Sequence, residues 1–600
     1  MNSKTTGIWF VIAAALFAFI LIFEHFLRHE AAGPTPLLPN FRPADVTRVQ
    51  VYPPPPNALE INASRTNGSW LLTEPVVYPA QSTAVEALLD AIKKLAPERL
   101  DPAEFRQQTN SEQSLGFENP QARIVIAAGD QNLQLVVGNL TAPGDQVYLR
   151  VVGREGVFVA DAGWLRLIPR TADAWRDTAL VDAGQAQFDW IVLTNNVKGV
   201  TIELRCDPTN HLWRMIRPLQ SRADADHITD ALQQLETASV TRFVTDDTNA
   251  DLAAFGLQPS DLDLWLGRGT NMVTAIHVGK SATNDTTMVY AQREGWSAIF
   301  LARRDALAPW RGTVNDFRDT RLFELTAPVA EIEVNEGDTN HFVLREPPGT
   351  TNWSLASEKY PVDTEYVQSF IKALAGLRIS DFVQAVATAP DLPAYGLDKP
   401  RREIVLRSRA GDTNAVIADL QFGLAQTNKV FVRCAGEDFV YAIPELDYNR
   451  LPDAAWQFRD RQIWNFKGDD VTQITIHQNG RTRQIVQNSP GKWSLAPGSS
   501  GIIEDKNIEQ AVELFQQFGS DGWLPPRFVT PDFGFDTNSL QITFELKNGD
   551  KNTVEFGGQS PQLKTALAAV TLDGKQWCFL SPPAPFQIAL SYLTIPSNVP

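Results

Sequence analysis

Asn352-Trp353-Ser354-Leu355, then Asp363 to Leu377 (DTEYVQSFIKALAGL), then Tyr395-Gly396-Leu397: the fold turns on this stretch, because its pattern is written four times in the chain. Trp353 and Leu355 stand two residues apart, the spacing that puts both side chains on one face of a strand. The pair recurs as Trp70 with Leu72, Trp213 with Met215, and Trp493 with Leu495. The glycine triplet recurs as Leu115-Gly116-Phe117, Phe255-Gly256-Leu257 and Phe533-Gly534-Phe535, at intervals of about 140 residues. A solenoid of small units repeats every 20–50 residues or so. A period of about 140 residues lets each copy enclose a core of its own.

Working outward, alternating apolar residues precede each tryptophan: Val49 and Val51, Ile191 and Leu193, Ile332 and Val334, Ile474 and Ile476. They predict a strand with one buried face. Asn67-Gly68 and Pro490-Gly491 predict hairpin turns before the tryptophan strand. After it, Asp363 is placed to cap a helix, and Val367, Phe370, Ile371, Leu374 and Leu377 form a stripe at helical spacing. The other copies carry Val85, Leu88, Leu89, Ile92 and Leu95; Ile228, Ala231, Leu232 and Leu235; Ile508, Ala511, Val512, Phe515 and Phe518. Each large apolar side chain buried there contributes roughly 1.5–3 kcal/mol before entropy, enough together to hold a helix on a sheet. The triplet glycine is expected to supply a positive φ or a close backbone approach. Further strands follow, the second of them closing on Gly138, Gly279, Gly423 or Gly557.

The first three copies end on an aromatic-Arg-Asp motif: Trp175-Arg176-Asp177, Phe317-Arg318-Asp319 and Phe458-Arg459-Asp460. The fourth lacks it and stops after an apolar segment around Ile588 to Leu593. A last repeat has no following neighbour to contact, so these nine residues are candidate inter-repeat contacts. Arg318→Ala is expected to loosen the second and third repeats without unfolding either.

At the N-terminus, Gly7 to Phe23 (GIWFVIAAALFAFILIF) is uncharged and apolar. It is at the short end for a membrane span, and no clear cleavage site follows. The preferred reading is an uncleaved single-pass anchor in an inner membrane, with the bulk of the chain periplasmic; a cleaved signal is the alternative. The full reading is an α+β chain with these parts: anchor 1–32, Pro-rich spacer 33–43, and repeats at 44–182, 183–325, 326–466 and 467–600. Each repeat is expected to be a mostly antiparallel β-sheet with one main amphipathic helix.

The net charge of −17 repels nucleic acid and favours solubility. Cys206, Cys434 and Cys578 lie at different places in the pattern, so neither zinc nor a disulfide framework is expected. The seven histidines form no HExxH motif, and no GxSxG elbow or phosphate-binding glycine loop occurs. Three Arg-Asp pairs with no recurring His, Cys or Lys beside them read as structural ion pairs or turns. No catalytic residue, metal or cofactor is expected. The tryptophans share a face with aliphatic residues, which reads as core and not as sugar-stacking platforms.

The anchor, the W-x-[LM] strand, the helix, the F/Y-G-L loop and the W/F-R-D ending together resemble bacterial proteins carrying domain of unknown function 4340. That resemblance implies an envelope accessory role beside gliding-motility-type ABC transport systems, with protein partners at the membrane. It implies no catalytic residues. The expected function is therefore an accessory or scaffold of an ABC-type transporter or another envelope complex. The alternative is an envelope glycan- or peptide-binding module using inter-domain grooves. A hydrolase would need a polar pocket gathering His, Asp and Ser from distant repeats.

Overall fold

The computed structural model describes residues 9, 12–19, 36–54, 59–100, 111–129, 131–181, 187–337, 340–410, 413–559 and 565–595. Four large sheets carry the chain, of nine, nine, eight and eight strands, with antiparallel pairing between neighbouring strands. In the first repeat the strands are β1 (Val46–Tyr52), β2 (Ile61–Thr66), β3 (Ser69–Glu74), β4 (Tyr78–Pro79), β5 (Glu98–Arg99), β6 (Ala122–Ala128), β7 (Gln131–Leu140), β8 (Gln146–Val151) and β9 (Phe158–Asp161). Their order is β4-β3-β2-β1-β6-β7-β8-β9-β5. Two meanders thus meet where β1 pairs β6, with Val49 opposite Ile126 and Val51 opposite Ile124. The second sheet repeats this order strand for strand, and the third and fourth lack only the counterpart of β4.

Local chemistry explains the elements. Asn67 and Gly68 take φ of 51° and 87°, the double positive φ of the turn that matches strand twist, and β2 and β3 pair across it. Trp70 and Leu72 are both buried, as are Trp213 with Met215 and Trp353 with Leu355. In the third repeat Asp363 accepts a hydrogen bond from the Tyr366 N–H at 2.9 Å and caps the helix Thr364–Ala375. The corresponding helices are Ser82–Lys94, Ala225–Thr237 and Asp505–Phe515, each burying its apolar stripe on the sheet.

Three members of the expected stripes lie outside their helices: Leu95 follows the end of Ser82–Lys94, and the third and fourth repeats each have one more. Gly376 closes the third helix before Leu377, and Phe518 sits in the strand Gln517–Gly519. Helical periodicity predicts which face is buried but not where the helix stops; all three residues remain buried. The triplet glycine does both things expected of it. Gly396 has φ of 65° and ends a short helical turn, Leu392–Tyr395. Across from it a Cβ on Gly423 would sit 2.2 Å from the Tyr395 carbonyl oxygen. The same contact recurs at Gly138 against Leu115 and at Gly279 against Phe255.

The chain divides into two compact units, residues 1–318 with the first two repeats and 319–600 with the last two. In the first unit each repeat has its own core; in the second a single apolar cluster runs through both repeats. The fourth repeat ends in a helix, Pro583–Tyr592, packed on Asp505–Phe515.

Of the expected anchor, Trp9 and residues 12–19 are described, and those from 12 to 19 are helical and exposed; the rest lies outside the described residues. No helix among the described residues is long and apolar enough to cross a membrane. The second half of the expected spacer is part of the first repeat. Leu37 and Leu38 are buried in its core, the Leu37 N–H bonds the Leu95 carbonyl at 2.7 Å, and Arg154 donates to the Leu37 carbonyl at 2.6 Å. Burial of two leucines outweighs the extended habit of the surrounding prolines.

Candidate functional site

The aromatic-Arg-Asp endings lie where one repeat passes into the next. Each first closes its own repeat through an isolated bridge: Ala80 with Arg176, Ala223 with Arg318, Val362 with Arg459. Trp175, Phe317 and Phe458 are the buried plugs, each at most 1% exposed. The aspartates then turn the chain. Asp177 accepts from the Ala179 N–H at 3.0 Å, Asp319 from the Arg321 N–H at 2.9 Å, and Asp460 from the Gln462 N–H at 2.9 Å. This carboxylate-to-backbone bond two residues on is an Asx turn. Past the turn the chain pairs with the segment that follows the next helix: Ala179 with Ser239, Arg321 with Arg378, Gln462–Asn465 with Gln517–Gly519.

Between the first and second repeats, Arg176 reaches across the joint. Its guanidinium pairs with Asp246 of the second repeat and with Asp173 at 3.1 Å. It lies 3.9 Å from the Phe243 ring centre and 5.0 Å from that of Tyr78. Tyr78 in turn packs edge-on against Phe243 and Trp296 of the second repeat, at 5.4 and 5.6 Å. Arg293 of the second repeat returns the contact. It donates to Asp177 at 3.0 Å, to the Leu180 carbonyl at 3.2 Å, and to the Ala179 carbonyl. Burial above all pushes the Tyr78 hydroxyl up to about 12, with Arg293 and Arg176 pulling the other way.

The joint between the third and fourth repeats uses the same parts with a different balance. Arg459 is stacked among Tyr360, Trp523 and Trp577, at 5.0, 5.3 and 4.3 Å from the ring centres. Tyr360 meets Trp577 edge-on at 5.3 Å. The Trp523 indole N–H donates to the carbonyls of Arg459 and Asp460, both at 3.1 Å. The nearest carboxylate to Arg459 is Asp573 at 3.9 Å, on a side chain 82% exposed. Burial lowers the pKa of the guanidinium, and Asp573 acts against that. A cavity of about 390 Å³ opens here, lined by Tyr360, Arg459, Trp577 and Asp573 among others.

The second copy of the motif falls at the change from one compact unit to the other. Arg318 is buried with its backbone on Ala223; Asp319 is buried and also accepts from the Arg321 guanidinium at 3.0 Å. The neighbouring Arg and Asp of a motif have separate tasks. Asp177 pairs with Arg293 while Arg176 pairs with Asp173 and Asp246, so the expected structural pair is a turn plus an inter-repeat contact.

The partners Tyr78, Phe243, Asp246 and Arg293, and Tyr360, Trp523, Asp573 and Trp577, are absent from the sequence expectation. A signal for two of them exists: Tyr78-Pro79 and Tyr360-Pro361 occupy equivalent places after the tryptophan strand, where the second repeat has Ser221-Arg222. A polar cluster on the second sheet is likewise absent from the sequence expectation. His277 is held by Asp263 and Glu294, each at 2.6 Å, and Asp263 also accepts from Ser260 at 2.6 Å and Asn196 at 3.1 Å. The Asp263 hydrogen bond raises the His277 pKa against the cost of its burial, with Glu294 adding to the rise. Here the serine bonds the carboxylate and the imidazole is closed at both nitrogens, which is a clamp between strands and not a primed nucleophile. Among the described residues no group of three or more His, Cys, Asp or Glu side chains is arranged to hold a metal ion.

Tandem antiparallel domains joined by buried arginines define a repeat protein. The chain belongs to the family described as domain of unknown function (DUF4340), whose model matches residues 70–210, 213–400 and 353–532. Each match begins on a tryptophan of the W-x-[LM] strand. No curated protein matches the chain.

Proposed function

We propose that this chain is a membrane-anchored extracytoplasmic accessory protein that scaffolds an ABC-type transporter or another envelope complex and carries out no catalysis of its own. The observation that carries this reading is the use made of the recurring polar residues. Arg176 and Asp177 are spent on holding two repeats together, through Asp246 and Arg293 of the neighbour. A desolvated cation on an aromatic face contributes about 2 kcal/mol, and buried charge-assisted bonds add to it. Repeats coupled this way present surfaces at fixed separation within each compact unit, as a scaffold needs. The apolar run Gly7 to Phe23 supplies the anchor in this reading. Affinity purification from native membranes after mild crosslinking is expected to recover transporter subunits; recovery of the chain alone would overturn it. The second reading, a binding module for envelope glycan or peptide, is favoured by the cavity beside Arg459.

A further inference from the structure

The two joints invite direct comparison. Arg176 has two carboxylates within 3.1 Å, and Arg293 fills the space beside it. Arg459 is nearly as buried, at 6% exposure, but no hydrogen bond from its guanidinium to a described residue occurs. Among the described residues the one carboxylate within 4 Å of it is Asp573, at 3.9 Å in the Asp573-Gly574 turn, with φ of 52° and facing solvent; Asp460 and Glu358 act on it from farther away. Aromatic rings cover the guanidinium, which leaves its planar edge of N–H donors as the unspent part. Arg459 borders a cavity of about 390 Å³, also lined by the cations Lys359 and Lys575 and the carboxylates Glu358 and Asp573. Lys575 is occupied by Glu358 at 3.8 Å, across the joint.

We propose that the cavity between the third and fourth repeats binds a small organic carboxylate, with the Arg459 guanidinium holding the two carboxylate oxygens as a fork. This deepens the binding-module reading and needs neither the anchor nor a transporter partner. A planar guanidinium matches a carboxylate bidentately, and one pre-positioned by stacking loses little freedom on binding. The ligand would complete the counter-charge that Asp246 supplies in the first joint. The volume is at the small end for ligand sites, roughly 300–1,000 Å³, which fits a sugar acid or the C-terminal end of a peptide. Asp573 competes for the same donors, and its exposure lets it swing away.

The test is isothermal titration of the full chain with four probes: N-acetyl-Ala-Ala, its C-terminal amide, glucuronate and glucose. At least one carboxylate is expected to bind while its neutral partner does not; which one binds distinguishes peptide end from sugar acid. Arg459→Lys should weaken that binding at least tenfold, and Asp573→Asn should tighten it severalfold. Asn tolerates the positive φ at that turn, so the second variant is decisive even where the first disturbs the joint. Absence of binding by both carboxylates overturns the site. Binding left within twofold by both variants overturns it too, placing any binding elsewhere on the chain. Neither result bears on the scaffold, which is read by co-purification.

Discussion

The guanidinium of Arg176 lies 3.9 Å from the ring centre of Phe243, a residue of the following repeat. This contact crosses between two domains that each have their own core. Replacing Arg176 by Ala removes the stack and its ion pairs and opens a hole beside Tyr78. The expected loss is about 2–4 kcal/mol, from lost packing and charge together. Calorimetry of the full chain should show an earlier transition for the first unit. An unchanged profile would show that the arginine is incidental to the joint.

Backbone approach at Gly423 makes a sharper case. An added Cβ would lie 2.2 Å from the Tyr395 carbonyl oxygen, a distance that forces the backbone to shift. Gly423→Ala is expected to cost about 1–3 kcal/mol by overpacking. Gly522 also lies in a strand, but a Cβ there meets nothing within 4 Å, so Gly522→Ala should stay within about 0.5 kcal/mol of the parent. Urea denaturation of the two variants compares them directly, and equal losses would refute the close-approach account.

His277 sets a pH window. Its folded pKa is raised above the ordinary value of about 6.5 by Asp263 and then Glu294. A raised folded pKa means that protonation favours the fold. The contribution is complete below about pH 6.5 and disappears as pH rises through the folded pKa. The melting temperature should therefore fall across that window, and His277→Gln should flatten the fall. A parent curve without slope there would refute the clamp.

The cysteines give a prediction about reactivity. Burial pushes the Cys578 thiol up to about 12, and the side chain is inaccessible. A thiol so placed has almost no thiolate at neutral pH. Cys434 is also buried, and Cys206 is partly exposed. A thiol reagent should label Cys206 first, and Cys434 and Cys578 only at the rate of unfolding. Early labelling of Cys578, read by peptide mass, would contradict the packing.

Much of the architecture was legible because it rests on local periodicity repeated four times. Trp353 with Leu355 and the stripe from Val367 to Leu374 each declare a buried face by spacing alone. The helix ends were not legible, since the residues just past them are held by tertiary pairing: Leu377 accepts from the Leu322 N–H, and the strand holding Phe518 pairs with Gln462–Asn465. The joints were half legible. Arg176 and Asp177 stand out as a repeated motif, but Asp246 and Arg293 come from far along the chain and have no counterpart at the Arg459 joint. A pattern search sees what recurs, and the Arg459 cavity owes its character to an acidic partner that does not recur.

The tyrosine before Pro79 and Pro361, with Ser221 in the same place in the second repeat, has a practical consequence for anyone cutting the gene. Tyr78 is fully covered, and Phe243 and Trp296 form part of the cover. A fragment stopped near residue 180 would bare Tyr78 and Arg176 together, an oily and charged scar prone to aggregate. A fragment stopped at residue 318 keeps both under their lid. Fragments of this chain should therefore be drawn two domains at a time.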